Sequence, residues 1–199
     1  KARENRIPPE TENRIVKYLE KVQYQPNRLA KGLRTGKTNT IGMLVEDISD
    51  SFFSAIARIV EENASNEGYT IFNASTENDP EKITHLLKVF RERQVDGYIM
   101  APTPGIERHI EQLMEDGIPV VLFDRYFSGL KTYNVVVDNS GGVYNAASHL
   151  SENGCDHIGL VTLDSEQVQM DERLKGYLKF VNEMQRTPLV LKVAYNSEH

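Results

Sequence analysis

The sequence predicts an α/β fold in two lobes, on three observations. From Thr40 onward short apolar runs alternate with amphipathic segments; glycines and prolines stand where helices would end and begin; and the alternation lapses once, between Phe123 and Asn134. Strand followed by helix followed by strand implies a parallel sheet covered on both faces. A lapse of that length exceeds the usual connection and is expected to carry the chain from one lobe to the other.

The elements follow in order. After Pro8-Pro9-Glu10-Thr11, Ile15, Leu19 and Val22 recur at i, i+4 and i+7, the apolar stripe of a helix over residues 8–23. Asn27 is placed to cap a second helix, Arg28 to Thr35, which Gly36 ends. Isolated helices shorter than about 12–15 residues are marginal in water, and Gly32 costs this one about 1 kcal/mol relative to alanine. It is expected to form only when something orders it. Ile41 to Val45, Tyr69 to Phe72, Gly97 to Met100, Val120 to Phe123, Val135 to Val137 and Ile158 to Val161 read as strands. Helical spacing occupies segments near 51–67, 79–93, 105–116 and 139–153, as in Phe53, Ile56, Ala57, Val60 and Ala64. Glu67-Gly68 and Asp116-Gly117 are helix stops, and Asp79-Pro80 is a helix start.

Composition narrows the function. The chain is 39% hydrophobic and 26% charged, the balance of a globular protein. No apolar run approaches the roughly 20 residues that span a bilayer, and no signal-peptide pattern opens the chain, so a cytoplasmic location without a membrane partner is expected. The single cysteine, Cys155, excludes an internal disulfide and is expected to be a small buried hydrophobe in a reducing compartment. His85, His109, His149 and His157 lack metal-ligand spacing. No nucleophile–base–orienter set or phosphate loop is present, and Gly141-Gly142 alone does not make one. The expectation is a protein that is not an enzyme and uses neither metal nor cofactor. Charge is divided unevenly: residues 1–40 carry ten Lys or Arg against four acids, and the other 159 residues carry 13 basic and 25 acidic side chains. A basic head suits phosphates and an acidic body does not.

Four motifs sharpen the reading. The stretch Tyr24 to Gly42 (YQPNRLAKGLRTGKTNTIG), then Glu46 to Phe53 (EDISDSFF), Ile118 to Arg125 (IPVVLFDR) and Val137-Asp138-Asn139 resemble, in that order, segments of the LacI/GalR family of bacterial transcription regulators. The resemblance implies a periplasmic-binding-protein-like two-lobed sensor, preceded by a short helical DNA-binding remnant and a hinge helix. Its divisions would be residues 1–39, 40–128 for the first lobe and 129–199 for part of the second. Residues 8–23 resemble the last helix of the family's headpiece, so the chain is expected to be a fragment lacking most of that headpiece and the end of the sensor core. In such regulators the hinge helices of a homodimer enter the minor groove of operator DNA. Leu33 would be the apolar wedge, whose unstacking cost of a few kcal/mol is offset by backbone contacts. Asn27, Arg28, Ala30, Lys31, Arg34 and Lys37 would make the surrounding DNA contacts.

Ligands of open parallel sheets collect beyond the C-terminal ends of strands. There the sequence places Asp50, Phe52 and Phe53, the stretch Asn73 to Asn78, Asp124 and Arg125, and Asp138 and Asn139, with Arg173 beyond the next strand. A sugar offers an apolar face to an aromatic ring and hydroxyls to charged or amide groups. Resemblance to ribose-type binding proteins implies sugar contacts from Asp50, Phe52, Phe53, Asp124, Arg125 and Arg173; Asn73 and Asp138 are further candidates. Alternatives stay open. Adjacent helical residues point about 100° apart, so one of Phe52 and Phe53 would pack while the other stacks. Asp124 and Arg125 could bridge the lobes, and Asp138 could cap the following helix. The expected function is an effector-responsive repressor sensing a sugar or sugar phosphate. A sugar-binding protein for transport or chemoreception is the alternative, disfavoured by the basic hinge.

Overall fold

The structure is a computed structural model that describes residues 8–22 and 36–194. The chain forms two compact units, Lys1–Thr38 and Asn39–His199. In the first, α1 (Pro9–Lys21) has Glu10 and Glu12 in its first turn and Lys21 in its last, matching the helix dipole. Ile15 and Val22 of its apolar stripe are exposed. The expected hinge helix over 28–35 lies outside the described residues, as do Asn27, Arg28, Ala30, Lys31, Leu33 and Arg34. Lys37 is described and exposed.

The second unit runs β1 (Thr40–Val45), α2 (Ser51–Asn66), β2 (Thr70–Ser75), α3 (Pro80–Glu92), β3 (Gly97–Met100), α4 (Glu107–Glu115), β4 (Val120–Phe123), β5 (Tyr133–Val135), α5 (Asn139–Glu152), β6 (Leu160–Leu163), α6 (Val168–Glu183) and β7 (Val190–Val193). β1 to β5 form one parallel sheet in the order β2-β1-β3-β4-β5, and β6 and β7 form a parallel pair.

The period of two along β1 sorts the first core. Met43 and Val45 face α2 and pack with Phe53, Ala57 and Phe123, while Leu44 faces α3 and α4 with Ile83, Leu87, Phe90 and Ile110. Gly42 is dictated by this second face. A Cβ there would sit 2.5 Å from Cδ2 of Phe90, whose ring stacks on Tyr98. In the other core Tyr177, Phe180 and Val181 of α6 pack on Ala147 of α5. The Tyr177 hydroxyl donates to the Ile158 carbonyl at 2.9 Å and accepts from the Leu189 amide at 2.9 Å, so one buried phenol ties α6 to the approaches of both β6 and β7.

Several expectations shift. β5 covers Tyr133–Val135 rather than 135–137, because its register against β4 pairs Tyr133 with Val121 and Val135 with Phe123, and β4 ends there. The first sheet therefore takes in residues beyond the expected 128/129 division. β6 starts two residues later than expected, where Leu160 meets Val190 of β7. Cys155 is exposed, not buried. It follows Gly154, whose φ of 87° turns the chain out of α5, so the thiol belongs to a surface turn.

Candidate functional site: a cleft at the strand ends

The C-terminal ends of the first sheet open onto a cavity of about 850 Å³ whose other wall is the end of β6 and the start of α6. Asp50, Phe52, Phe53, Asp124, Arg125 and Arg173 all line it, as do Glu46, Asn78, Thr103, Val137 and Gln169.

Arg125 organises the first wall. It is 5% exposed and sits in the loop after β4. Its Nη2 donates to Glu46 beyond β1, its Nη1 to Oδ1 of Asn78 beyond β2 at 2.8 Å, and its Nε to Oδ2 of Asp124 at 3.2 Å. Thr103, beyond β3, donates to the same Asn78 oxygen at 3.0 Å. One guanidinium thus gathers the loops after three strands, and Asn78 adds the fourth. Asn78 and Asp124 adopt φ of 54° and 62°, left-handed values that Asn and Asp tolerate better than most residues. The bridge considered between lobes is, in the structure, a clamp within one sheet's loops.

Asp124 is the cleft carboxylate whose titration is shifted. Burial pushes its carboxyl above the 3.8 of an ordinary aspartate; the charge and hydrogen bond of Arg125 and the charge of Arg173 oppose the rise, and Glu46 adds to it. Asp124 therefore lies in the fields of both cleft arginines. Arg173, on α6, donates from Nε to Oδ1 of Asn139 at 2.8 Å, and Asn139 is itself buried at the start of α5. The terminal nitrogens of Arg173 make no hydrogen bond among the described residues.

Phe52 and Phe53 divide as helical geometry requires. Phe53 is 6% exposed and meets Phe123 edge-on at 6.2 Å, whereas Phe52 is 48% exposed and borders the cavity. Asp50, which also lines the cavity, accepts from the Phe52 amide at 2.7 Å as the N-cap of α2.

Two sequence candidates do not join this group. Asn73 lies inside β2, paired with Met43 and exposed, because the strand continues to Ser75 instead of ending at Phe72. Asn78, five residues on, reaches the cleft in its place. Asp138 accepts from the Gly141 amide at 2.7 Å and serves as the N-cap of α5, while its neighbour Val137 lines the cavity. Conversely, Gln169 lines the cavity and is absent from the sequence candidates. It stands in the first turn of α6, where Met170, Leu174, Tyr177 and Val181 at helical spacing are the available signal.

In charge, the cavity wall holds five carboxylates (Glu46, Asp47, Asp50, Asp124 and Asp164) against the guanidinium groups of Arg125 and Arg173. Among the described residues, no cluster of three His, Cys, Asp or Glu could hold a metal ion, and no helix is long and apolar enough to cross a membrane.

A parallel sheet flanked by helices, with a polar and aromatic cleft at its strand ends facing a second parallel pair, defines a periplasmic-binding-protein-like ligand-binding fold. Residues 38–194 match the family of periplasmic binding proteins and the sugar binding domain of the LacI family, and the chain belongs to that family. It is 31% identical over 179 residues to catabolite control protein A of Priestia megaterium, covering 89% of this chain and 54% of that protein. It is 32% identical over 169 residues to the HTH-type transcriptional repressor PurR of Aliivibrio fischeri, covering 84% of this chain and 50% of that one. The chain thus spans about half the length of these relatives. Among solved structures it resembles a periplasmic binding protein/LacI transcriptional regulator from Alkaliphilus metalliredigens complexed with D-xylulofuranose, with a TM-score of 0.67 and 28% identity, over 80% of this chain and 58% of that one.

Proposed function

We propose that the chain is the effector-sensing part of a DNA-binding transcription regulator, a repressor that takes a sugar or related small metabolite into the cleft between its lobes. The observation that carries this reading is the composition of the cleft: an exposed aromatic ring at Phe52, a half-buried carboxylate at Asp124 and a guanidinium with open donors at Arg173, all lining one cavity beyond the strand ends. A sugar needs such a combination of a flat apolar surface and oriented polar groups. Family membership and the D-xylulofuranose held by the Alkaliphilus protein support it.

The basic segment 1–39, with Lys37 at its end, would contact operator DNA in the full-length homodimer. Effector would bring the α5–α6 side and the first sheet together through Arg173 and Asp124. That movement would change how the two copies present their basic segments, with a coupling of about 1–3 kcal/mol. The protein works by binding rather than by catalysis.

A thermal-shift screen of the full-length protein against sugars and related metabolites tests the reading. A compound at 100 times its dissociation constant adds about 2.7 kcal/mol to stability, and an Arg173→Met variant should lose that gain. Stabilisation undiminished in the variant would place the ligand elsewhere and refute the assignment of the cleft.

A further inference from the structure

Gln169 has an acceptor without a donor. The residue is 4% exposed and belongs to the cleft wall on the α6 side. Its amide nitrogen donates to Oε1 of Gln167 at 3.1 Å, which turns the amide oxygen away from that neighbour. The oxygen, Oε1, is buried and has no partner among the described residues. A buried acceptor in this condition is unfavourable unless something brings it a donor.

The charges around it limit what that donor can belong to. Arg125 commits its guanidinium to Glu46, Asn78 and Asp124 within the first wall, which leaves Arg173 to face a ligand. A phosphate entering the cleft would meet the carboxylates of Asp50, Asp124 and Asp164 with one guanidinium to offset them. The N-terminus of α2, which would otherwise attract an anion, is already occupied by the Asp50 side chain. The start of α6 at Gln167 has no side-chain cap, but Asp171 stands in its first turn. Carboxylates and an orphaned amide oxygen are acceptors, and the partner that satisfies acceptors is a row of hydroxyl groups.

We infer that the ligand of this cleft is an uncharged, hydroxyl-rich compound, a sugar or polyol without a phosphate, and that one of its hydroxyl groups donates to Oε1 of Gln169. The inference rests on the proposed sensor function and narrows it.

Calorimetric titration of the full-length protein tests it, with D-ribose, D-xylose, D-glucose, D-galactose, D-fructose and D-mannitol, each beside its monophosphate. At least one unphosphorylated member should bind, about tenfold or more tighter than its phosphate. Gln169→Met, which removes the acceptor, should weaken that binding by about tenfold, equivalent to 1.4 kcal/mol. Gln169→Glu, which keeps an acceptor, should hold affinity within about threefold. The melting temperature of unliganded Gln169→Met should equal or exceed that of the native protein, because the orphaned oxygen is gone, so a loss of binding is not a loss of fold. Preference for a phosphate would overturn the inference and leave the sensor reading standing. Unchanged affinity in Gln169→Met, or equal loss in Gln169→Glu, would remove Gln169 as the acceptor. Binding of no member of either series would overturn the inference together with the sugar-sensor reading on which it rests.

Discussion

Gly176→Ala should destabilise the α5–α6 pair by about 2 kcal/mol and weaken ligand binding with it. Gly176 lies in α6 where that helix crosses the start of α5. A Cβ built on it would lie 2.1 Å from the backbone oxygen of Ser140, 2.9 Å from its carbonyl carbon and 3.0 Å from its Cα. Backbone cannot rotate aside as a side-chain tip can. Restoring even the roughly 3.3 Å of a close C–H···O approach requires the helices to part by roughly 1 Å. Overpacking of this kind typically costs about 1–3 kcal/mol, and the upper end applies because the nearest atoms are backbone. Alanine returns up to about 1 kcal/mol through its better helix propensity. The net loss of about 2 kcal/mol is within reach of urea denaturation followed by far-ultraviolet circular dichroism. The effect on binding follows from position. Arg173 is one turn ahead of Gly176, its partner Asn139 precedes Ser140, and parting the helices stretches the 2.8 Å bond that holds the Arg173 side chain. Gly142→Ala is the internal control: a Cβ there meets nothing within 4 Å, so the same substitution in α5 should be neutral or stabilising. If Gly176→Ala proves as stable as Gly142→Ala, the close crossing of α5 and α6 is refuted.

Three further perturbations follow from the cleft. Arg125→Met should cost about 3–5 kcal/mol in urea denaturation, because it strands the enclosed carboxylates of Glu46 and Asp124; Arg125→Lys should recover only part, lacking the fork that reaches three loops, and a cost below about 1 kcal/mol for the methionine variant would contradict the clamp. Phe53→Ala should lose about 3–5 kcal/mol of stability, whereas Phe52→Ala should stay within about 0.5 kcal/mol yet bind ligand more weakly; the reverse ranking in denaturation would invert their assigned roles. Because the folded chain holds the Asp124 proton to higher pH than the unfolded chain does, the stability linked to that proton is fully present below 3.8 and is lost as pH rises through the folded value. Native stability measured relative to Asp124→Asn should therefore fall with rising pH over that window, and a rise would show that the arginines outweigh burial.

Much of the first sheet is legible in the residues because local and long-range requirements agree there. Asp79-Pro80 starts α3 as expected, with the Asp79 carboxylate accepting from the amides of Glu81 at 2.8 Å and Lys82 at 3.3 Å. Gly68 and Gly117 end α2 and α4 in the left-handed region, at φ of 78° and 74°. Illegibility begins where a partner strand decides. Asn73, Ala74 and Ser75 carry no strand signal of their own and are held in β2 by Met43, Leu44 and Val45 of β1. The apolar run at 135–137 looks buried in sequence, but β5 has one neighbour and Val135 and Val137 are exposed. α6 and β7 are missing from the sequence reading. In α6 charges at Asp171, Glu172, Arg173, Lys175 and Lys179 interrupt the apolar stripe to the eye though not on the helix, and β7 is exposed along its whole length. At the cleft, residue types beyond the strand ends, together with the resemblance to ribose-type binding proteins, point to Asp124, Arg125, Arg173 and the Phe52–Phe53 pair, all of which line one cavity. The division between Arg125 as an internal clamp and Arg173 as the open guanidinium depends on Glu46 and Asn78, which lie 79 and 47 residues from Arg125.

On the proposed function, a molecule bound among Asp124, Arg173 and Phe52 should be felt by the basic, DNA-contacting end of the full-length protein. Fluorescence anisotropy of an operator duplex, selected from genomic fragments by that protein, measures it directly when run without and with a saturating cleft ligand. Occupancy should change operator affinity by at least about fivefold, with the same factor returned when ligand affinity is measured with and without duplex. The same operator dissociation constant with the cleft empty and full would show that cleft and operator site are not coupled.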